Sequence, residues 1–178
     1  MCRADLFLRQ AQGVLQTYAN FPSRRDERDA WSCTYLPLTK LLGHDLSAAL
    51  RAGGELQRDY VYCGDAFDTT GPAREEHVVP LKCIIEHLLA TPEEWRGRAG
   101  RERLRTFMAE HLVLAKVPLT LERELAPQTM EDARWCHPAS TISELVKHRA
   151  MWCRYRVVPG LRLPWQRGSH FRVRTPED

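Results

Sequence analysis

The run Arg74-Glu75-Glu76-His77-Val78-Val79-Pro80 sets an acid directly before a histidine, ahead of two β-branched residues and a proline. Val78-Val79 predicts a short strand, and Pro80 ends it because proline has no N–H to give to a ladder. Adjacent side chains on a strand point to opposite faces unless a bulge turns one of them. A carboxylate and an imidazole placed there suit two roles, one holding a metal ion and the other acting as a general base toward water. The same residues also suit an ordinary edge strand with a solvated Glu-His pair. A second carboxylate, Glu122, falls in the first turn of a helix predicted over Leu121–Leu125 with Thr120 as its cap. A first turn favours an acid through the helix dipole alone, and Glu124 takes the place of Glu122 if the register is two residues out.

The elements around these residues read as mostly helical. Leu6, Phe7, Ala11, Val14, Leu15 and Tyr18 recur at helical spacing over residues 4–18. Trp31–Pro37 reads as a short strand or an irregular packed segment. A helix is predicted over Leu38–Ala52, with a break near Gly43-His44 that Asp45 could cap, and Gly53-Gly54 stops it. Glu55–Cys63 reads as a strand, with Tyr60–Cys63 its best-supported part. Asp65 and Asp68 follow in a Gly/Thr-rich loop, as turn residues first and metal ligands second. Leu81–Ala90 is predicted helical and carries His87. Thr91-Pro92-Glu93-Glu94 has the form of a capping box. Helix is predicted to resume at Arg101, after Gly97 and Gly100. Leu112–Val117 is the next predicted strand, stopped by Pro118. Residues 128–139 read as irregular, and a further helix is predicted from Ser140 or Thr141 toward Ala150.

The 178 residues carry a net charge of only +3, but the charge is unevenly placed. From Lys147 to Arg174 there are eight basic residues and no acid, an asymmetry that suits an anionic partner such as nucleic acid. A solvated basic tail is the plain alternative. Trp152 and Tyr155 read as core anchors, and Trp165 onward as exposed. No apolar run approaches the roughly 20 residues that span a bilayer, and no apolar stretch follows Met1-Cys2-Arg3-Ala4-Asp5 as it would in a secretory signal. The expectation is a cytoplasmic protein with reduced thiols and no membrane partner. Its cysteines form no C-x-x-C pair. Zinc would need a scattered set such as Cys63, Cys83, Cys136 and His137, against which stands the ordinary reading of separate thiols.

Glu76-His77-Val78-Val79-Pro80 resembles the first strand of the HNH endonucleases (ββα-metal, or His-Me finger), where Asp-His-Ile-x-Pro is common. Leu112–Leu125 resembles the second half of that motif in small HNH-like proteins, a hydrophobic strand running into a helix whose first turn carries a metal ligand. Met151-Trp152-Cys153-Arg154-Tyr155-Arg156 with Gly160 resembles the tail of the same proteins. The departures are Glu76 in place of the usual Asp, Glu122 in place of the usual His or Asn, and helices near 81–111 where the compact motif has a loop.

The resemblance implies an α+β fold, mostly helical, with a small β-hairpin and a ββα-metal-like core at about 62–125. That core would lie within one domain over residues 1–163, followed by a basic, flexible tail over 164–178. It implies an endonuclease-like hydrolysis of nucleic-acid phosphodiesters. His77 would be the general base, and Glu76 and Glu122 would hold one Mg²⁺ or Mn²⁺ through hard oxygen ligands. Arg74 or Arg123 would steady the scissile phosphate. Arg154, Arg156, Arg162, Arg167, Arg172 and Arg174 would contact nucleic acid, DNA in the first place. The alternative is an inactive module on the same scaffold that binds nucleic acid or protein, such as a regulator or inhibitor of a phage or mobile element.

Overall fold

The computed structural model describes residues 2–19, 36–56, 59–125, 152–175 and 177–178. The segment around Trp135-Cys136-His137-Pro138 and the helix expected from Ser140 or Thr141 lie outside the described residues, as do residues 31–35. Where the sequence suggests one domain over 1–163, the chain divides into two units. One comprises Met1–Leu56 with Leu81–Leu112, and the other Gln57–Pro80 with Val113–Asp178.

The first unit is helical. Helix α1 spans Arg3–Ala19, and its apolar stripe buries Leu8, Ala11 and Leu15. Residues 36–40 are helical, so Leu36 and Pro37 begin this run rather than ending a strand. At Leu41–Leu46 the helix widens into a π-turn and then continues as α2, Ser47–Ala52. The break expected at Gly43-His44 is this local unwinding. A Cβ at Gly43 would lie 2.6 Å from Leu81 Cδ2, so the backbone there passes close against the Leu81 side chain. Helix α3, Leu81–Ala90, buries Cys83, Ile84, Ile85, Leu88 and Leu89.

A 3₁₀ turn, Pro92–Trp95, leads into α4, Gly97–His111. No side-chain hydrogen bond caps the 3₁₀ turn, so the capping box does not form. The Thr91 hydroxyl donates instead to the His87 carbonyl at 3.3 Å. Helix α4 begins at Gly97 rather than Arg101 because Gly100 is a packing glycine, not a breaker: its α-carbon faces the Trp95 backbone. Gln12 ties α1 to this turn by donating to the carbonyls of Trp95 and Gly97, and Gln16 donates to that of Pro92. Arg105 joins α4 to Glu55 and Asp5.

The second unit is built on a four-stranded mixed sheet of order β2-β3-β1-β4, where β1 is Tyr60–Tyr62, β2 Ala73–His77, β3 Leu114–Pro118 and β4 Phe171–Val173. β3 runs parallel to β1 and antiparallel to β2, and β4 runs antiparallel to β1. Strand β2 lies earlier than the sequence suggests. Val78 and Val79 form a bend and are buried, and Val78 N–H still donates to the Val113 carbonyl at 3.0 Å. Helix α5, Leu119–Leu125, follows β3 directly and buries Leu121 and Leu125. A short helix, α6, spans Cys153–Arg156. Trp152 stands edge-on to Tyr60 and Phe171, with ring centroids 5.1 and 4.9 Å apart, and Tyr155 is fully buried beside it. Both aromatics are core anchors, as their types suggest. Residues 164–178, expected as a tail, contribute β4, which pairs with β1 from Tyr60↔Val173 to Tyr62↔Phe171. The fold is α+β and mostly helical.

Candidate functional site

The residues of interest gather on β2, β3 and α5. The β2–β3 ladder is unbroken, from Ala73↔Pro118 through Glu76↔Ala115 to His77↔Leu114. With no bulge, alternate residues of β2 share a face. Arg74 and Glu76 therefore lie on one face, and Glu75 and His77 on the other. The ion pairs agree with that alternation. Arg74 Nη1 is 3.6 Å from Glu122 Oε1 at the start of α5, and Arg154 Nη1 is 3.7 Å from Glu76 Oε2. Glu75 pairs with Arg174.

The order strand, antiparallel strand, helix thus brings Arg74, Glu76 and Glu122 together. Pro118 closes β3, and Leu119 N–H is taken up by the Pro72 carbonyl at 3.2 Å. The helix begins at Leu119, so Thr120 lies inside its first turn rather than at the expected cap position. Glu122 is half-buried toward Arg74, whereas Arg123 and Glu124 are exposed. Glu122 is thus the first-turn acid that faces Arg74.

Glu76 is the electrostatic centre. Burial pushes its carboxyl above the usual range, and the charge of Glu122 pushes the same way. Arg154 and Arg74 oppose both, without cancelling them. Arg154 itself is buried, with 7% exposure, and its Nη2 donates to the Leu125 carbonyl at 2.9 Å. One guanidinium therefore faces the β2 carboxylate and satisfies a carbonyl at the end of α5, where cations are favoured. This differs from the exposed, nucleic-acid-facing place that the charge run suggests. The missed signal is its position between Trp152 and Tyr155: an arginine flanked by two core aromatics shares their burial. Arg154 Nε, Tyr155 Oη and Trp152 Nε1 are buried with no hydrogen-bond partner among the described residues.

The other arginines separate by surroundings. Arg172 pairs with Asp178 and Arg174 with Glu75. Arg156, Arg162 and Arg167 are exposed, and Arg156 lies 5.7 Å from the Trp165 ring centre. Asp68 is turn chemistry, accepting from Thr70 N–H and Oγ1 at 2.8 and 2.6 Å. Asp65 approaches His170 at 4.0 Å. His87 packs against Phe107 and Trp95, and burial lowers its pKa. Cys63 is exposed and Cys83 buried, while Cys136 and His137 lie outside the described residues.

Among the described residues, no three His, Cys, Asp or Glu side chains group as they would around a metal ion. None of the described helices is long and apolar enough to cross a membrane. No protein-family model, curated protein or solved structure matches the chain.

Proposed function

We propose that this chain acts on nucleic-acid phosphodiesters at the Glu76–Glu122 face, as a metal-dependent endonuclease-like protein. The observation that carries the reading is the pairing of two carboxylates far apart in sequence. β2 and α5 bring Glu76 and Glu122 close enough for their charges to interact, with Arg74 beside them. The donors fit a hard divalent ion, since Mg²⁺ is commonly held by one or two carboxylates with water completing its shell. Glu76 and Glu122 would hold Mg²⁺ or Mn²⁺, which would polarise a phosphoryl oxygen and stabilise the leaving oxygen. Arg74, the most exposed member of the group, would pair with the phosphate, releasing Glu122. Arg154 holds Glu76 from the buried side.

His77 is the separable part of the reading. It is the last residue of β2, and the regular ladder sets it on the face opposite Glu76. Its Nε2 is buried, so a general-base role would require the end of the strand, where the chain bends at Val78, to open toward the phosphate.

One observation favours a second reading. Both carboxylates already face guanidiniums, Glu76 that of Arg154 and Glu122 that of Arg74. A charge-matched face of this kind suits a module that binds nucleic acid or protein without cutting it. Titration of Mn²⁺, followed by water-proton relaxation, separates the two. The endonuclease reading expects saturable binding that Glu122→Gln weakens at least tenfold. Absence of binding by the intact chain would transfer the assignment to the binding module.

A further inference from the structure

We infer that the loop 161–170 is a pre-formed contact for the phosphate backbone of nucleic acid, and that Arg162 and Arg167 are its contacting charges. The inference deepens the proposed function by naming a docking surface, and it rests on that reading for the identity of the partner.

The loop leads into β4 and closes on itself. His170 N–H donates to the Arg162 carbonyl at 2.9 Å, and Arg162 N–H donates back to His170 Nδ1 at 3.3 Å. Inside that neck, Gln166 N–H donates to the Leu163 carbonyl at 2.9 Å, and Leu163 N–H donates to Gln166 Oε1 at 2.6 Å. Leu163 is buried beneath the loop. The His170 carbonyl also accepts from Cys63 N–H at 2.8 Å, which extends the β1–β4 pairing into the base of the loop. Compact loops with closed ends, packed by their own side chains, are frequently functional.

This scaffold fixes where the charges stand. Gly168 has φ +67°, and a Cβ there would lie 2.8 Å from Arg162 Nη1. The guanidinium of Arg162 thus rests over a turn that only glycine leaves open. Arg167 immediately precedes Gly168 in the same loop. Both arginines are exposed, and among the described residues neither has an ion-pair partner. Residues 161–170 contain no acid. The acid that approaches the base of the loop is Asp65, and it faces His170. Arg172 and Arg174 lie just beyond, and their charge is matched by Asp178 and Glu75. The acid-free run of arginines is therefore two sets, one already neutralised within the fold and one presented outward. Trp165, part-exposed and beside Arg156, adds an aromatic surface of the kind on which bases stack.

Each phosphate neutralised by a cation contributes about −0.9 to the slope of log K against log salt for duplex DNA. The test is fluorescence anisotropy with a labelled DNA duplex across a salt series, in EDTA so that binding is read without cleavage. The R162A/R167A double variant is expected to bind with a slope shallower than the intact chain by about 2. R174A, whose charge Glu75 matches, is expected to change the slope by much less. Circular dichroism confirms that both variants fold. An unchanged slope for R162A/R167A, or no binding by the intact chain, overturns the inference. Equal weakening of heparin and DNA, with single-stranded and duplex DNA bound alike, also overturns it by making the loop a general polyanion patch. Because EDTA removes any metal, loss of cleavage with an intact salt response counts against the proposed hydrolysis and leaves this surface standing.

Discussion

Arg154→Met removes the guanidinium opposite Glu76 while keeping most of the apolar stem, so the change isolates charge and hydrogen bonding from packing. At 3.7 Å and an effective dielectric of about 20, the lost Coulomb attraction is about 4 kcal/mol before solvation is counted. The charged hydrogen bond to the Leu125 carbonyl is worth about 1.5–3 kcal/mol. Desolvation of a buried arginine opposes both. The usual result of breaking a buried pair from one side, about 3–5 kcal/mol of lost stability, is the expected magnitude at neutral pH.

The effect should depend on pH with a definite sign. Glu76 is already held above the ordinary carboxyl value of 4.5 by burial and by Glu122, and loss of Arg154 raises it further. Protonation removes the uncompensated charge, so the deficit of the variant shrinks as pH falls through the raised Glu76 pKa. Urea unfolding of the intact chain, Arg154→Met, Glu76→Gln and the double variant at pH near 7 and near 4.5 measures this directly. A coupling energy of about 1–3 kcal/mol is expected at the higher pH, falling at the lower. A coupling near zero at neutral pH would refute the claim that Arg154 holds Glu76.

Other consequences concern stability alone. His111 is buried, and burial brings its pKa to about 4 from 6.5. The stability it contributes is complete above about pH 6.5 and is lost as pH falls toward 4, amounting to about 3 kcal/mol. His111→Asn should flatten that limb of the stability–pH curve, and a limb of unchanged steepness would show that other groups carry it. Tyr155→Phe deletes a buried hydroxyl that has no partner among the described residues. The variant should be as stable as the intact chain or up to about 1 kcal/mol more so in thermal unfolding, and a clear loss would mean that the hydroxyl is satisfied. Gly100→Ala would normally gain up to about 1 kcal/mol of helix propensity. Here the new Cβ would sit 2.3 Å from the Trp95 carbonyl carbon, so a net loss of about 1–3 kcal/mol is expected on denaturation.

Local pattern made much of the architecture legible. The apolar spacing of α1 and α3 predicts both helices to within a residue or two, because their buried faces follow the 3.6-residue period. Glu122 lies in the first turn of α5, as the sequence suggests, and faces Arg74, although the helix starts at Leu119 and Thr120 is not its cap. The misplacement of β2 has a clear cause. Val78 and Val79 have strand-like side chains, yet they are buried at a bend, and the ladder is formed by the polar residues before them. Pairing with β3, not intrinsic propensity, decides where that strand lies. Gly100 reads as a breaker by type, and only the proximity of Trp95 reveals its packing role. Arg154, Arg172 and Arg174 look equivalent to Arg162 and Arg167 in a charge count. Their neutralisation comes from Glu76, Asp178 and Glu75 through contacts that spacing along the chain does not display.

The central claim is that the Glu76–Glu122 face hydrolyses phosphodiesters, and nicking of supercoiled plasmid DNA in Mg²⁺ or Mn²⁺ tests it most directly. The intact chain is compared with Glu122→Ala and His77→Ala, each checked for folding by circular dichroism. The account predicts metal-dependent nicking by the intact chain that falls by at least a hundredfold in Glu122→Ala, with a comparable fall in His77→Ala if that residue is the base. Full activity in Glu122→Ala, or no cleavage by the intact chain in either metal, would contradict it.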